Sequence, residues 1–154
     1  MLSGETSIGK YPEECIGFMK SIVAETEKFK TLGYENNLQK NSDWEHIGQA
    51  AKDLAESIEA EGIIAVTRTG ATATYIANAK PHGVPIFSFT NNEVTLRQLS
   101  LVGSTVSFLI NDISDHEKTI KQCKNILKKY FSKKKRMKFI VVSGIFSERH
   151  SDAI

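Results

Sequence analysis

Residues 62–72 read GIIAVTRTGAT, from Gly62 to Thr72, and the fold class follows from this stretch. Its first half is a short apolar run rich in β-branched residues, which is typical of a strand buried on both faces. Its second half is polar and contains Gly70, so that the strand ends there and a helix can begin. The stretch therefore predicts a buried β-strand, a short loop and the start of a helix.

Three further apolar runs of the same kind occur later in the chain, at residues 86–89, 106–110 and 139–142. Their nearly continuous apolarity indicates strands covered on both sheet faces. Helical segments alternate with these strands. This alternation predicts a doubly wound, mostly parallel α/β sheet over residues 42–154.

Three sequences fit the capping box, in which a hydroxyl side chain caps a helix and a glutamate three residues later bonds back to it. They begin at Ser42, Thr90 and Ser114. The segments after the first and third carry apolar residues at helical spacing. The predicted apolar faces are Ile47, Ala50, Ala51, Leu54, Ala55 and Ile58 for the first, and Ile120, Cys123, Leu127 and Tyr130 for the third.

The first 41 residues are predicted to form a helix and a linker that do not belong to the α/β sheet. Pro12 is suited to the first position of a helix, and Gly33 is a candidate for the residue that stops it. The helix would carry an apolar stripe formed by Cys15, Met19, Ile22, Val23 and Phe29. Residues 31–41 are polar and read as a linker. The predicted organisation is therefore a separate segment over 1–41, followed by the α/β domain.

The loop at residues 67–72 is the candidate binding site. Ligands of open α/β sheets bind at the carboxyl ends of the strands, where a helix N-terminus offers free N–H groups to an anion. Gly70 permits close approach of the backbone, Thr67, Thr69 and Thr72 can donate hydroxyl hydrogen bonds, and Arg68 supplies a charge. The alternative is that these residues merely cap a helix, because the pattern is short and is neither a P-loop nor GxGxxG.

Other site classes find little support in the sequence. The four histidines show no metal-binding spacing, so no metal site is predicted. Cys15 and Cys123 are isolated, which suits a reducing cytoplasm. No apolar run reaches the length of a membrane span.

Ten lysines and arginines are concentrated in residues 118–138. We interpret them as a solvated helix face and a basic turn, which makes nucleic-acid binding the least favoured function.

Two segments resemble one known family. Residues 1–12, MLSGETSIGKYP, resemble the specific MLSGETAxGxYP signature of pyruvate kinases, and residues 62–70 with 85–90, PIFSFT, resemble the opening of the pyruvate kinase C-terminal domain. The resemblance implies that residues 1–41 are the last strand and helix of a catalytic TIM barrel plus a linker. Ser3 and Glu5 would then lie on the active-site rim of the parent barrel.

The resemblance also implies what the parent enzyme does. It transfers a phosphoryl group from phosphoenolpyruvate to ADP in glycolysis, uses magnesium and usually potassium, and forms a tetramer. Its main catalytic groups lie on earlier barrel strands and find no match in this sequence. We therefore expect this polypeptide alone to need no cofactor and to have no kinase activity, and we expect the rest of a pyruvate kinase chain and further copies as its partners.

In many members the C-terminal domain binds an activating sugar phosphate or nucleotide, and the matching loop here is residues 67–72. A second loop, residues 143–149, would close over the effector, with Arg149 contributing to phosphate binding. The sequence departs from the family pattern at Ala71, where many members have a basic residue, and at Glu148, which would repel a phosphate. A free-standing module that binds phosphorylated metabolites is the alternative function.

Overall fold

The structure of the protein is a computed structural model that describes residues 2–29, 33, 39–131 and 136–144. The chain divides into two units, Met1–Tyr34 and Glu35–Ile154. Among the described residues, no helix is both long and apolar enough to cross a membrane.

The first unit contains two helices, α1 (Gly4–Ser7) and α2 (Pro12–Thr26), and residues 2–29 form no strand. Pro12 begins α2 as predicted, since its fixed φ angle suits the first helical turn. Gly33 does not stop the helix, which already ends at Thr26.

The apolar stripe predicted for the first unit has no fully buried member. Cys15 and Met19 are half-buried, and Ile22 and Val23 are 45% and 47% exposed. Phe29, beyond the helix end, is 71% exposed. An exposed apolar surface of this kind is typical of a face that packs against another part of a protein.

The second unit alternates helices and strands, as the sequence predicts. Its helices are α3 (Asp43–Ser57), α4 (Ala71–Asn78), α5 (Glu93–Leu99) and α6 (His116–Tyr130). Its strands are β1 (Gly62–Val66), β2 (Ile86–Thr90), β3 (Thr105–Leu109) and β4 (Phe139–Ser143). All neighbouring strands are parallel, in the order β3-β2-β1-β4, which confirms the predicted α/β class with a doubly wound sheet.

The core lies on both faces of this sheet. On β1, Ile63 and Ala65 belong to one buried cluster, whereas Ile64 and Val66 belong to another. The first cluster includes Ala55 of α3, Ala73 and Ile76 of α4, and Leu99 of α5. The second includes Cys123 and Leu127 of α6. Helices α3, α4 and α5 thus cover one face, and α6 covers the other.

Phe87 of β2 is the centre of the cluster under α6. Its ring lies 5.5 Å from that of Phe131 and 6.1 Å from that of Phe139, both near edge-on, a geometry that favours aromatic pairs. A Cβ atom at Gly62 of β1 would lie 2.4 Å from the Phe87 ring. Strand β1 therefore needs glycine at position 62, where the Phe87 ring packs across it.

The helix caps agree with the capping-box prediction in one case of three. Ser42 caps α3 by accepting a hydrogen bond from the Glu45 N–H. Helix α5 is capped by Asn92, because Thr90 is the last residue of β2. Helix α6 is capped by Asp115, while the predicted cap, Ser114, bonds to Asp112. The two predictions failed because asparagine and aspartate also cap well, and they stand closer to these helices.

The buried faces of α3 and α6 are rotated relative to the predicted stripes. The buried residues are Gly48, Ala51, Lys52 and Ala55 on α3, and Thr119, Cys123 and Leu127 on α6. The predicted core positions Ala50 and Leu54 of α3 are exposed, as are Ile120 and Tyr130 of α6.

The cause of the rotation on α3 is the close approach of α4. A Cβ atom at Gly48 would lie 2.7 Å from the carbonyl oxygen of Tyr75, so only glycine allows the two helices this spacing. Beside this contact, the ring of Trp44 stacks on that of Tyr75 at 6.4 Å. Helix α3 therefore packs against α4 through Gly48, rather than through its large apolar residue Leu54.

This contact predicts opposite effects for two glycine-to-alanine substitutions in helices. Gly48→Ala should destabilise the second unit by about 1–3 kcal/mol, because the added methyl group meets backbone atoms that cannot move aside. Gly17→Ala in α2, where no atom lies within 4 Å of the new Cβ, should instead stabilise its helix by up to about 1 kcal/mol, because alanine favours a helix more than glycine does. Trp44 is the chain's one tryptophan, so its fluorescence during urea unfolding reports on the second unit. Equal unfolding midpoints for Gly48→Ala and the wild type would contradict the proposed contact.

Candidate anion-binding site

The candidate site lies where the strand order of the sheet reverses. Strands β2 and β3 lie on one side of β1, and β4 lies on the other. Val66 and Ser143, the last residues of β1 and β4, are paired in register, and the Gly144 N–H donates to the Val66 carbonyl at 3.2 Å. The loops that follow β1 and β4 therefore begin side by side, at the position where open α/β sheets bind ligands.

The loop after β1 is held by several hydrogen bonds. The Thr67 N–H donates to the Phe89 carbonyl at 3.0 Å, and the Gly70 N–H donates to the Thr67 hydroxyl at 2.9 Å. From α5, the Thr95 hydroxyl donates to the Arg68 carbonyl at 3.0 Å. Gly70 caps α4 with a φ angle of +92°, a conformation that residues with a side chain rarely adopt. These bonds fix one loop conformation.

Five backbone N–H groups in and after this loop remain without an acceptor among the residues that the structure describes. They belong to Arg68, Thr69, Ala71, Thr72 and Ala73. The last three form the first turn of α4, whose positive dipole end lies at the same place. A cluster of free N–H groups at a helix N-terminus is a ready anion-binding site.

Side chains add to this cluster. Arg68 and Thr69 are exposed, and Arg68 carries the one formal charge of residues 67–72. Thr72 is only 2% exposed, yet its hydroxyl makes no hydrogen bond to another described residue. Its oxygen is not fully enclosed, so the hydroxyl still has a donor to offer to a ligand.

The structure thus brings Thr67, Arg68, Thr69, Gly70 and Thr72 together in one loop. Arg149 and the rest of the predicted closing loop after Gly144 lie outside the described residues. At its start, Ser143 holds the one buried side-chain oxygen without a hydrogen bond in the described part of the chain. Thr95 could not be inferred from the sequence, because it lies on another helix, 27 residues from the carbonyl that it binds.

In the first unit, Ser3 and Glu5 contact each other. The backbone N–H and the hydroxyl of Ser3 donate to the Glu5 carboxylate at 3.0 and 3.2 Å. Hydrogen bonds from the backbone N–H groups of Glu5 and Ser3 lower the pKa of Glu5 below its usual value. This exposed carboxylate is therefore fully ionised at neutral pH.

Other reactive groups do not form a site. Among the residues described, no three histidine, cysteine, aspartate or glutamate side chains are grouped so that they could hold a metal ion. Burial raises the pKa of the Cys123 thiol to about 12, which keeps it protonated and unreactive. On α6, Lys118 and Lys121 form ion pairs with Asp115 and Glu117, as expected of a solvated helix face.

Comparisons with known proteins agree with this fold. The family described as "Pyruvate kinase, alpha/beta domain" matches residues 45–153. The pyruvate kinase of Agrobacterium vitis is 31% identical over 148 residues, covering 94% of this chain and 31% of that protein. The pyruvate kinase of Corynebacterium glutamicum is 31% identical over 147 residues, covering 94% of this chain and 30% of that protein.

Among solved structures, a pyruvate kinase from Cryptosporidium parvum superposes with a TM-score of 0.81 at 24% identity, covering 94% of this chain and 30% of that one. The chain therefore spans less than a third of the length of these proteins. The family match covers most of the second unit, and the two bacterial relatives extend it over nearly the whole chain. The chain belongs to the pyruvate kinase family, of which it carries the C-terminal α/β domain.

Proposed function

We propose that this chain is the effector-binding and assembly part of a cytoplasmic pyruvate kinase, and that residues 67–72 bind the phosphate group of the effector. The observation that carries the proposal is the cluster of free N–H groups from Arg68 to Ala73 around the start of α4. The neighbouring Arg68 side chain adds a full positive charge. A phosphate group has enough oxygen acceptors to bind several of these donors at once.

The site fits a phosphorylated small molecule better than a simple anion. It lies where the loops after β1 and β4 begin side by side, the position at which open α/β sheets bind ligands larger than a simple ion. A sugar phosphate or a nucleotide is therefore the proposed ligand class, with Thr69 and Thr72 as hydroxyl donors. Arg149 is proposed as a further phosphate contact from the second loop.

We expect inorganic phosphate and sugar phosphates to stabilise the second unit against urea. A ligand at about 100 times its Kd adds about 2.7 kcal/mol to the free energy of unfolding when it binds only the folded state. Arg68→Gln should weaken binding about tenfold, since it removes a charge-assisted hydrogen bond. Trp44 fluorescence at increasing ligand concentration measures both effects.

The matched control is Arg97→Gln. Arg97 is also an exposed arginine, but it lies on α5, outside residues 67–72, and it pairs with Glu93. Its loss should leave ligand affinity unchanged. If neither phosphate nor any of a panel of sugar phosphates and nucleotides shifts the unfolding midpoint, the proposed binding function is wrong.

For the parent enzyme we propose the family's reaction, transfer of a phosphoryl group from phosphoenolpyruvate to ADP, with magnesium and potassium bound by other parts of the enzyme. Phosphoryl transfer depends on cations and metal ions positioned around the transferred group. The family model that matches this chain is that of the α/β domain, and the chain corresponds to less than a third of its relatives. These observations favour a regulatory over a catalytic role for the chain itself.

We therefore predict that the chain alone produces no pyruvate from phosphoenolpyruvate and ADP in the presence of Mg²⁺ and K⁺. The measurement is a coupled assay of pyruvate formation, with the complete Agrobacterium vitis enzyme as the positive control. A rate that rises in proportion to the concentration of this chain would show that it carries its own catalytic groups.

The proposed assembly role is based on apolar residues on the side of α3 that carries Ala50 and Leu54, both exposed. Ile47, Ala50 and Leu54 stand at helical spacing on this side, with Ala50 exposed and Leu54 50% exposed. The outer edge of β4 is also unpaired among the described residues, since β4 pairs only with β1. We propose that a second copy packs against this surface through a twofold axis, as one of the interfaces of a tetramer.

Leu54→Lys should therefore shift the chain toward the monomer, because it places a charge in an apolar interface. Leu101→Lys is the control, since Leu101 is 89% exposed but belongs to the segment after α5 and not to α3. Light scattering over a range of concentrations should show the wild type and Leu101→Lys approaching at least twice 17.1 kDa, and Leu54→Lys falling below them. Equal masses for both variants would exclude this surface as the interface.

A further inference from the structure

Helix α5 forms a hydrogen bond to the anion-binding loop through the buried side chain of Thr95. Thr95 is 5% exposed, and its hydroxyl donates to the Arg68 carbonyl at 3.0 Å. Its backbone N–H is bound in turn by the cap of α5, the Asn92 side chain, at 3.2 Å. Thr95 therefore connects a fixed helix terminus to the peptide that joins Arg68 to Thr69.

This contact determines which way that peptide faces. The described residues contain no cis peptide bond, and in a trans peptide the C=O and the following N–H point in opposite directions. Since the Arg68 carbonyl points toward α5, the Thr69 N–H points away from it. Thr69 is exposed, and its N–H is one of the five without an acceptor in the described part of the chain.

The orientation matters because the two ends of a peptide act oppositely on an anion. A carbonyl oxygen facing a phosphate would repel it, whereas an N–H group attracts it. The hydrogen bond from the Thr95 hydroxyl keeps the Arg68 carbonyl oxygen turned toward α5 and gives it a donor there. Without that bond, the exposed peptide between Arg68 and Thr69 could rotate and turn its carbonyl outward.

We propose that Thr95 is a positioning residue that holds the Arg68–Thr69 peptide with its N–H toward the bound anion. The inference rests on the proposed phosphate-binding function of residues 67–72 and extends it to a residue outside the loop. The hydroxyl is the essential group. The Thr95 methyl group also lies close to the loop, 3.4 Å from where a Cβ atom at Gly70 would be. Because it forms no hydrogen bond, it does not orient the Arg68–Thr69 peptide.

Three variants separate positioning from general stability. Thr95→Val keeps the shape and removes the hydroxyl, whereas Thr95→Ser keeps the hydroxyl and removes the methyl group. Thr119→Val is the matched control, since Thr119 is also buried and its hydroxyl also donates to backbone carbonyls, those of Asp112 and Asp115, on α6.

The first readout is hydrogen exchange of the Gly70 amide, measured by NMR without ligand. This amide is protected by the Thr67 hydroxyl inside the same loop. We expect exchange at least tenfold faster in Thr95→Val than in Thr119→Val, and close to the wild-type rate in Thr95→Ser. Equal Gly70 exchange in Thr95→Val and Thr119→Val would overturn the positioning role.

The second readout is the Kd of inorganic phosphate, measured by calorimetric titration. We expect about tenfold weaker binding in Thr95→Val and near wild-type binding in the other two variants. Wild-type affinity in Thr95→Val would overturn the inference. Absence of phosphate binding by the wild-type chain would instead reject the proposed function, and the exchange data would still decide whether Thr95 positions the loop.

Discussion

The burial of β1 on both faces is the constraint on which the rest of the second unit depends. A strand with Ile63 and Ala65 on one side and Ile64 and Val66 on the other needs a helix layer over each face. Three helices supply one layer and α6 supplies the other, which requires the chain to cross the sheet between β3 and β4. That crossing makes the strand order reverse beside β1, which is the position of the candidate anion site.

The candidate site consists mainly of backbone, and this explains why its sequence pattern is weak. Backbone N–H groups are present in every residue except proline, so their use depends on conformation rather than on residue type. Gly70 and the bonds made by Thr67 and Thr95 supply that conformation. Only Arg68 contributes a formal charge. A family can therefore vary the side chains of such a loop, as at Ala71, and still retain the arrangement of donors.

The strands could be predicted from the sequence to within a residue at most ends, because their apolar β-branched runs mark burial on both faces. The helix caps could not, since Asn92 and Asp115 compete with nearby hydroxyl residues for the same role. Nor could the rotation of α3, which depends on the approach of Tyr75 to Gly48. The loop at residues 67–72 was identifiable from its place after a strand. Thr95 was not, because its relation to the loop exists only after α4 and β2 have folded between them.

The pairing of β4 with β1 has a consequence for how the domain folds. Ile63 pairs with Ile86 across a short βαβ unit, whereas Gly62 pairs with Phe139 across most of the domain. Closing the longer loop costs about 1 kcal/mol more in chain entropy. Because distant pairings form slowly, β1, α4 and β2 are suited to be the nucleus, with β4 added late. During translation, residues 67–72 would therefore leave the ribosome and take up their conformation before β4 pairs beside them.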